Sequence, residues 1–242
     1  MSTEHENPRP FAHRHLHLWV MMTLTVVTGA LDAVGYLGLD RVFTGNMTGN
    51  VVILGMGIAA EEGLPVAGPM IALVGYVLGA AMTGRLIRGR VRAWNAVVTT
   101  TIWVNAAVLA GVATVLLLVP VSGQSWGGIA AAATIAVVMG AQASIARFLA
   151  VTDMTTVVVT STITSYASET LFKGGLSWFT HRRLWAVVAI FAGALAGGLM
   201  MKLHICVPVY VAAVITAGCG GIGHRYWERA AASESRHGLS RG

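Results

Sequence analysis

Asp32 lies well inside the apolar run Leu16–Gly38. A carboxylate held in hydrocarbon is costly unless it is paired, hydrogen-bonded or protonated, so such residues mark proton relays, cation sites and solute sites. The same carboxylate can instead hold another stretch of backbone in place, and the sequence leaves both readings open. Arg147 follows Gln142 by five residues near the end of another apolar run. It offers an anion site or a partner for Asp32, or it extends its stem to reach the interface.

Two sets of uncharged donors and acceptors complete the candidate pathway for a solute or ion. Asn46, Thr48 and Asn50 stand in the run Val42–Ala60, and Thr160, Thr162 and Thr164 in Met154–Ser168. A half-helix beginning at Thr48 turns free N–H groups and the positive end of its dipole toward an anionic group. Asn and Thr are also the side chains that cap a broken helix. Bond-breaking chemistry has no signature here. There is no HExxH, no Ser/His pair at matching depth and no pair of intramembrane aspartates, so no enzyme and no cofactor is expected. His13, His15 and His17 alternate beside Arg14. An interfacial edge accounts for that pattern better than a metal site does.

The elements that position these residues follow from composition. Of 242 residues, 55% are hydrophobic and 11% charged, with a mean hydropathy of +0.70. A soluble domain needs about 25% charged residues to solvate its surface. Apolar runs follow one another: Leu16–Gly38, Val42–Ala60, Val66–Gly84, Asn95–Val119, Gly127–Ala146, Met154–Ser168, Leu184–Met201 and Ile205–Gly221. Most are long enough to cross a bilayer core about 30 Å thick. The expected fold is an all-α integral membrane protein in contact with lipid. The net charge of +6 sits in short loops, where orientation bias explains it and nucleic acid does not. Seven tryptophans fall mostly near run ends, as an aromatic belt would. Cys206 and Cys219 are too far apart on one helix to bridge.

Counting Lys and Arg chooses the topology. If all eight runs cross, nine basic residues face one side and seven the other. If Val42–Ala60 and Met154–Ser168 enter and leave from the same side, fourteen face the cytoplasm and two, Arg41 and Lys202, face out. The second model gives the asymmetry that orientation rules require. It predicts about six transmembrane helices plus two broken or re-entrant segments, with both termini cytoplasmic. The two segments are rich in Gly, Asn, Thr and Ser, which are poor helix formers. Non-helical backbone at membrane depth persists only where protein or water covers it. The polar ends, before Pro10 and after Tyr226, are expected to be disordered.

The halves of the chain resemble each other. Thr44–Thr48 matches Thr160–Thr164, Gly29-Ala30 matches Gly140-Ala141, and Gly75, Gly79 and Met82 match Gly193, Gly197 and Met200. The offsets are 111, 116 and 118 in order of the chain, which suggests a duplicated unit. Three spans per unit make the second copy inverted, a recurring design of transporters. The expected layout is a cytoplasmic tail over 1–15, one repeat over 16–119, a connecting loop over 120–126, the second repeat over 127–222 and a cytoplasmic tail over 223–242. Gly75 and Gly79, with Gly193 and Gly197, are expected to pack helices closely.

Gly29-Ala30-Leu31-Asp32-Ala33, followed by Val42-Phe43-Thr44-Gly45-Asn46-Met47-Thr48-Gly49-Asn50, resembles the signature of the YoaK family. That family, also called DUF1275 or UPF0700, comprises small bacterial inner-membrane proteins. The resemblance extends through Gly75–Gly84, Gly140-Ala141-Gln142, Arg147 and Thr160–Thr164. It implies a multi-pass protein of the bacterial inner membrane.

The expected function is a small transporter or channel for a polar or anionic solute. The alternatives are a structural or assembly protein of the membrane and, behind it, an intramembrane enzyme. A homodimer would suit a small six-span protein with glycine faces.

Overall fold

A computed structural model describes residues 11–59, 63–90, 93–121, 125–149, 164 and 182–239. They form seven helices: α1 (Phe11–Gly38), α2 (Met47–Ile58), α3 (Ala67–Ile87), α4 (Ala96–Leu118), α5 (Trp126–Phe148), α6 (Arg182–Met201) and α7 (Cys206–Leu239). Six of them are long and apolar enough to cross a membrane, and α2, with 12 residues, is not. The expected segment Met154–Ser168 lies outside the described residues apart from Thr164.

Starts are set by local chemistry. Asn95 caps α4 by accepting from the Val97 and Val98 amides, and Ser125 caps α5 by accepting from Gly128. Helix α3 has no side-chain cap of its own. Asp40, ahead of α2, lies against its first turn instead, where the Gly68 amide meets the carboxylate. An acid at a helix N-terminus complements the dipole there.

Packing fixes the direction of each span. On α1 and α6, Val26 meets Gly193, Ala30 meets Gly197 and Gly38 meets Met201, so the two helices run parallel. On α3 and α5, Gly75 meets Ala133, Gly79 meets Val137 and the Ser144 hydroxyl donates to the Ala80 carbonyl, again in parallel. Helices α4 and α7 run antiparallel, from Trp94 against Gly223 to Thr114 against Tyr210. One core cluster gathers Val20, Leu24, Val98, Leu149 and Cys219 at one end of the bundle. A second gathers Val34, Ala72, Leu116, Ala131 and Cys206 at the other. Thus α1, α4 and α6 point one way, and α3, α5 and α7 the other.

This alternation leaves α2 on one side of the membrane, as the charge count predicts. Arg85, Arg88, Arg90, Arg147, Arg225 and Arg229 all fall at the end where α1 begins, and Arg41 and Lys202 fall at the opposite end.

The two parallel pairs are built alike. A β-carbon on Gly29 would collide with the Ile190 carbonyl, and one on Gly140 with the Tyr76 carbonyl. These contacts relate α1 to α5 by 111 residues and α3 to α6 by 114. The sequence match of Gly75 with Gly193 is therefore one helical turn out of step with the contacts.

One expectation is corrected. The polar tail after Tyr226 is helical through Leu239, as an extension of α7. Its run from Glu228 to Glu234 holds three alanines and no Gly or Pro, and His224 and Glu228 pair four residues apart at 3.3 Å. Good helix formers and such pairs carry a helix beyond the bilayer.

Candidate functional site

After α1 the chain turns back along its own helix. The Val42 amide donates to the Gly35 carbonyl at 3.3 Å, Thr44 comes to Asp32, and Gly45 reaches Thr28, halfway down the span. This extended stretch is not part of a sheet, so its amides need partners from elsewhere. The Phe43 amide donates to Asn50 Oδ1 at 2.8 Å. The Thr44 and Gly45 amides both donate to Asp32 Oδ1, at 2.8 and 2.7 Å. Asn50 Nδ2 donates back to the Phe43 carbonyl at 2.6 Å. Each such group left bare in the bilayer core would cost several kcal/mol.

At Asn46 the direction reverses. Its side chain accepts from the Gly49 amide at 3.1 Å and starts α2. Twelve residues rise about 18 Å, enough to return to the face from which the chain came. The segment goes in extended and comes out helical. Tyr36 stacks on Phe43 at 5.1 Å and closes the outer part of the turn.

Below the reversal lies a cavity of about 90 Å³. Its wall includes Thr25 and Thr28 of α1, Gly45 of the re-entrant turn, Tyr76 of α3, Gln142 of α5 and Ile190 of α6. Gln142 Nε2 donates to the Leu24 carbonyl at 3.3 Å and to Thr28 Oγ1 at 3.2 Å. Thr28 spends its own proton on the Leu24 carbonyl at 3.0 Å. These two acceptors fix which way the Gln142 amide faces. Its Oε1 is buried without a partner.

Comparison with known proteins bears on the whole of this frame. The family model described as "Protein of unknown function (DUF1275)" matches residues 20–222, which take in all or most of each span, the re-entrant turn and the cavity. The chain belongs to the DUF1275 family. It is also 32% identical over 91 residues to the UPF0700 transmembrane protein YoaK of Bacillus subtilis (strain 168). That match covers 37% of this chain and 40% of the relative's length. No solved structure matches.

In this DUF1275 member the sequence-nominated residues separate into groups. Asp32, Asn46 and Asn50 come together, with their polar atoms engaged by the backbone of the re-entrant turn. Thr48 is exposed on the first turn of α2. Gln142 joins Thr28 at the cavity, whereas Arg147 is exposed at the far end of α5 and is not brought to Asp32. Thr160 and Thr162 lie outside the described residues, and Thr164 is exposed. Gly75 and Gly79 face α5, and Gly193 and Gly197 face α1.

Three participants escape a reading of the DUF1275 sequence. A methyl on Gly45 would lie 2.6 Å from Thr28 Cγ2, so a side chain at Gly45 would press the turn against α1. Thr25 and Thr28 look like ordinary helix residues until α5 is in place. Glycine between two polar residues in an apolar run was the one available signal.

Proposed function

We propose that this protein is a transporter or channel that passes a small polar solute through the cavity between the re-entrant turn and α5. The observation that carries this reading is the cavity itself. It lies near the middle of α1 beside a broken segment, with Thr25, Thr28, Tyr76 and Gln142 among its lining residues. Irregular backbone at that depth is the usual companion of a solute path. An uncharged or cationic solute fits better than an anion, because the amides ahead of α2 are already taken by Asp32 and Asn50.

The Lys/Arg asymmetry supports an arrangement with the α1 start and the α7 end in the cytoplasm of a bacterial inner membrane. The matching α3–α5 and α1–α6 pairs support an inverted duplication of three spans each.

The test is flux in proteoliposomes with a panel of polyols, amides, small cations and small anions. Protein-dependent flux of one class is expected, together with its loss in Gly45→Val, which drives a branched side chain against Thr28. Folded, reconstituted protein that carries no member of the panel above protein-free vesicles would overturn the reading and leave a structural membrane protein as the better account.

A further inference from the structure

We infer that the end of α3 holds an anionic phospholipid, with its phosphate against Arg85, Arg88 and Arg147 and its chains along the exposed face of α3. The inference stands apart from the transport reading and holds whichever way the bundle faces in the membrane.

Spacing makes the site. Val74, Leu78, Ala81 and Arg85 follow one another at steps of four, three and four, which puts them on one face of α3. All four are exposed, whereas Gly75 and Gly79 are buried against α5. The face is an apolar track that ends in a guanidinium. Arg88, three residues further on, is exposed as well. On α5, Ala133, Val137, Gly140 and Ser144 form the stripe that packs on α3. Arg147 continues that stripe at the same spacing and is exposed where the helix ends. A β-carbon on Gly84 would lie 3.9 Å from the Ser144 hydroxyl. Arg88 and Arg147 follow this contact by four and three residues, so the two parallel helices release them side by side.

Charge then selects the occupant. Arg90 donates from Nε to the Leu86 carbonyl at 3.1 Å and so serves the open carbonyls at the end of α3. On α7, Arg225 and Arg229 flank Glu228 in sequence. Arg85, Arg88 and Arg147 make no side-chain hydrogen bond or ion pair among the described residues. Three like charges around one helix end repel one another, and an anion among them removes that cost. Guanidinium groups match a phosphate in charge and shape, and basic clusters between spans at the membrane surface take lipid headgroups. The apolar track decides what carries the phosphate. A free anion leaves Val74 and Leu78 unused. A second copy of the chain, related by an axis along the membrane normal, sets arginine against arginine. An anionic lipid satisfies the track and the charges together.

The experiment is saturation binding of radiolabelled phosphatidylglycerol to the purified full-length protein in detergent, read as lipid that co-elutes on size exclusion, beside labelled phosphatidylcholine. Saturable retention of phosphatidylglycerol is expected, with phosphatidylcholine at background. Arg85→Gln combined with Arg88→Gln should weaken it about thirtyfold, the strength of two arginines at an anionic lipid surface. Lys202→Gln, at the opposite end of the bundle, should change nothing. Should the double variant fail to fold, high salt applied to the wild-type protein screens the same charges and should bring retention toward background. Glycerol phosphate, which has the charge and no chains, should not displace the lipid. Equal retention of the two lipids, or full retention in the folded double variant or in high salt, would overturn the inference. Displacement by glycerol phosphate would overturn it in favour of a free anion, and elution as a lipid-free dimer in favour of a second copy.

Discussion

Asp32 and Asn50 divide the returning strand between them: the side chain of Asn50 takes Phe43, and a single oxygen of Asp32 takes Thr44 and Gly45. The two residues come from different helices, yet they act on adjacent peptides. Together they do for three amides what a neighbouring strand would do in a sheet. Asp32 thereby holds the reversal of the chain in place.

Removing these acceptors should unfold the turn before it alters any chemistry. Asp32→Ala takes the acceptor from the Thr44 and Gly45 amides and from the Thr44 hydroxyl, at about 1–3 kcal/mol for each buried group left bare, and Asn50→Ala leaves one amide and one carbonyl. Both variants should show lower Tm by size-exclusion thermal shift in detergent. Asp32→Asn, which keeps an acceptor oxygen, should lose less. Because the two sites share one strand, the double alanine variant should lose less than the sum of the single losses. Wild-type Tm in Asp32→Ala would refute the scaffold role.

Glycines separate into two groups with opposite expectations. Gly79, Gly140 and Gly193 each face a carbonyl of the neighbouring helix so closely that a β-carbon would collide. Alanine at any of them should push the helices apart and cost about 1–3 kcal/mol. Gly111 and Gly218 have nothing within 4 Å of a built β-carbon. Alanine there should leave Tm unchanged or raise it, by up to about 1 kcal/mol of helix propensity. A series in which all five behave alike would contradict the packing described above.

The spans are legible in the sequence because the bilayer demands an apolar run of set length and little else does. Arg41 and Lys202, alone against fourteen other basic residues, are enough to identify Val42–Ala60 as a segment that does not cross. How that segment dips is not legible. Alternation of Gly, Asn and Thr marks a break, but extended-then-helical order depends on acceptors supplied by Asp32 and Asn50, and pairing across 12 residues has no periodic signature. The register of the likeness between halves fails for a related reason. Gly75 and Gly79 on one helix, and Gly193 and Gly197 on the other, repeat every turn, so a match shifted by four residues looks as good as the correct one. Gln142 is visible as a polar residue in a span. Its unpaired oxygen depends on Thr28 and Leu24 and can be found only after folding. Polarity alone points to disorder beyond Tyr226, whereas alanine and an i,i+4 pair decide for helix once α7 is already nucleated.

Asp40 provides a pH test outside the spans. Burial is the larger influence and pushes its carboxyl above the ordinary value of 3.8, with the Gly68 amide drawing it partly back. The folded protein therefore binds this proton more tightly than the unfolded chain does. The contribution of Asp40 to stability is greatest below pH 3.8 and is lost as pH rises through the raised folded value. Asp40→Asn removes that titration. Relative to wild type, the variant should gain in Tm as pH rises from just below 4 to neutrality. A difference that stays flat across that range would show that the carboxylate is not disfavoured by its site.

Single-cysteine labelling tests the alternation of helices directly. Cys206 and Cys219 are buried and are replaced first, by Ala or Ser. Arg88 and Arg229 lie at the end of the bundle where α1 begins, whereas Arg41 and Leu203, the latter 78% exposed, lie at the opposite end. A membrane-impermeant maleimide added to intact cells should label Arg41→Cys and Leu203→Cys. Arg88→Cys and Arg229→Cys should react only after the inner face is opened. The decisive pair is Arg41 and Arg88, which flank α2 and α3. If α2 crossed the membrane as well as α3, these two positions would share a side and label together. Opposite labelling requires that one of the two helices turn back, and α2, at 12 residues, is the one too short to cross.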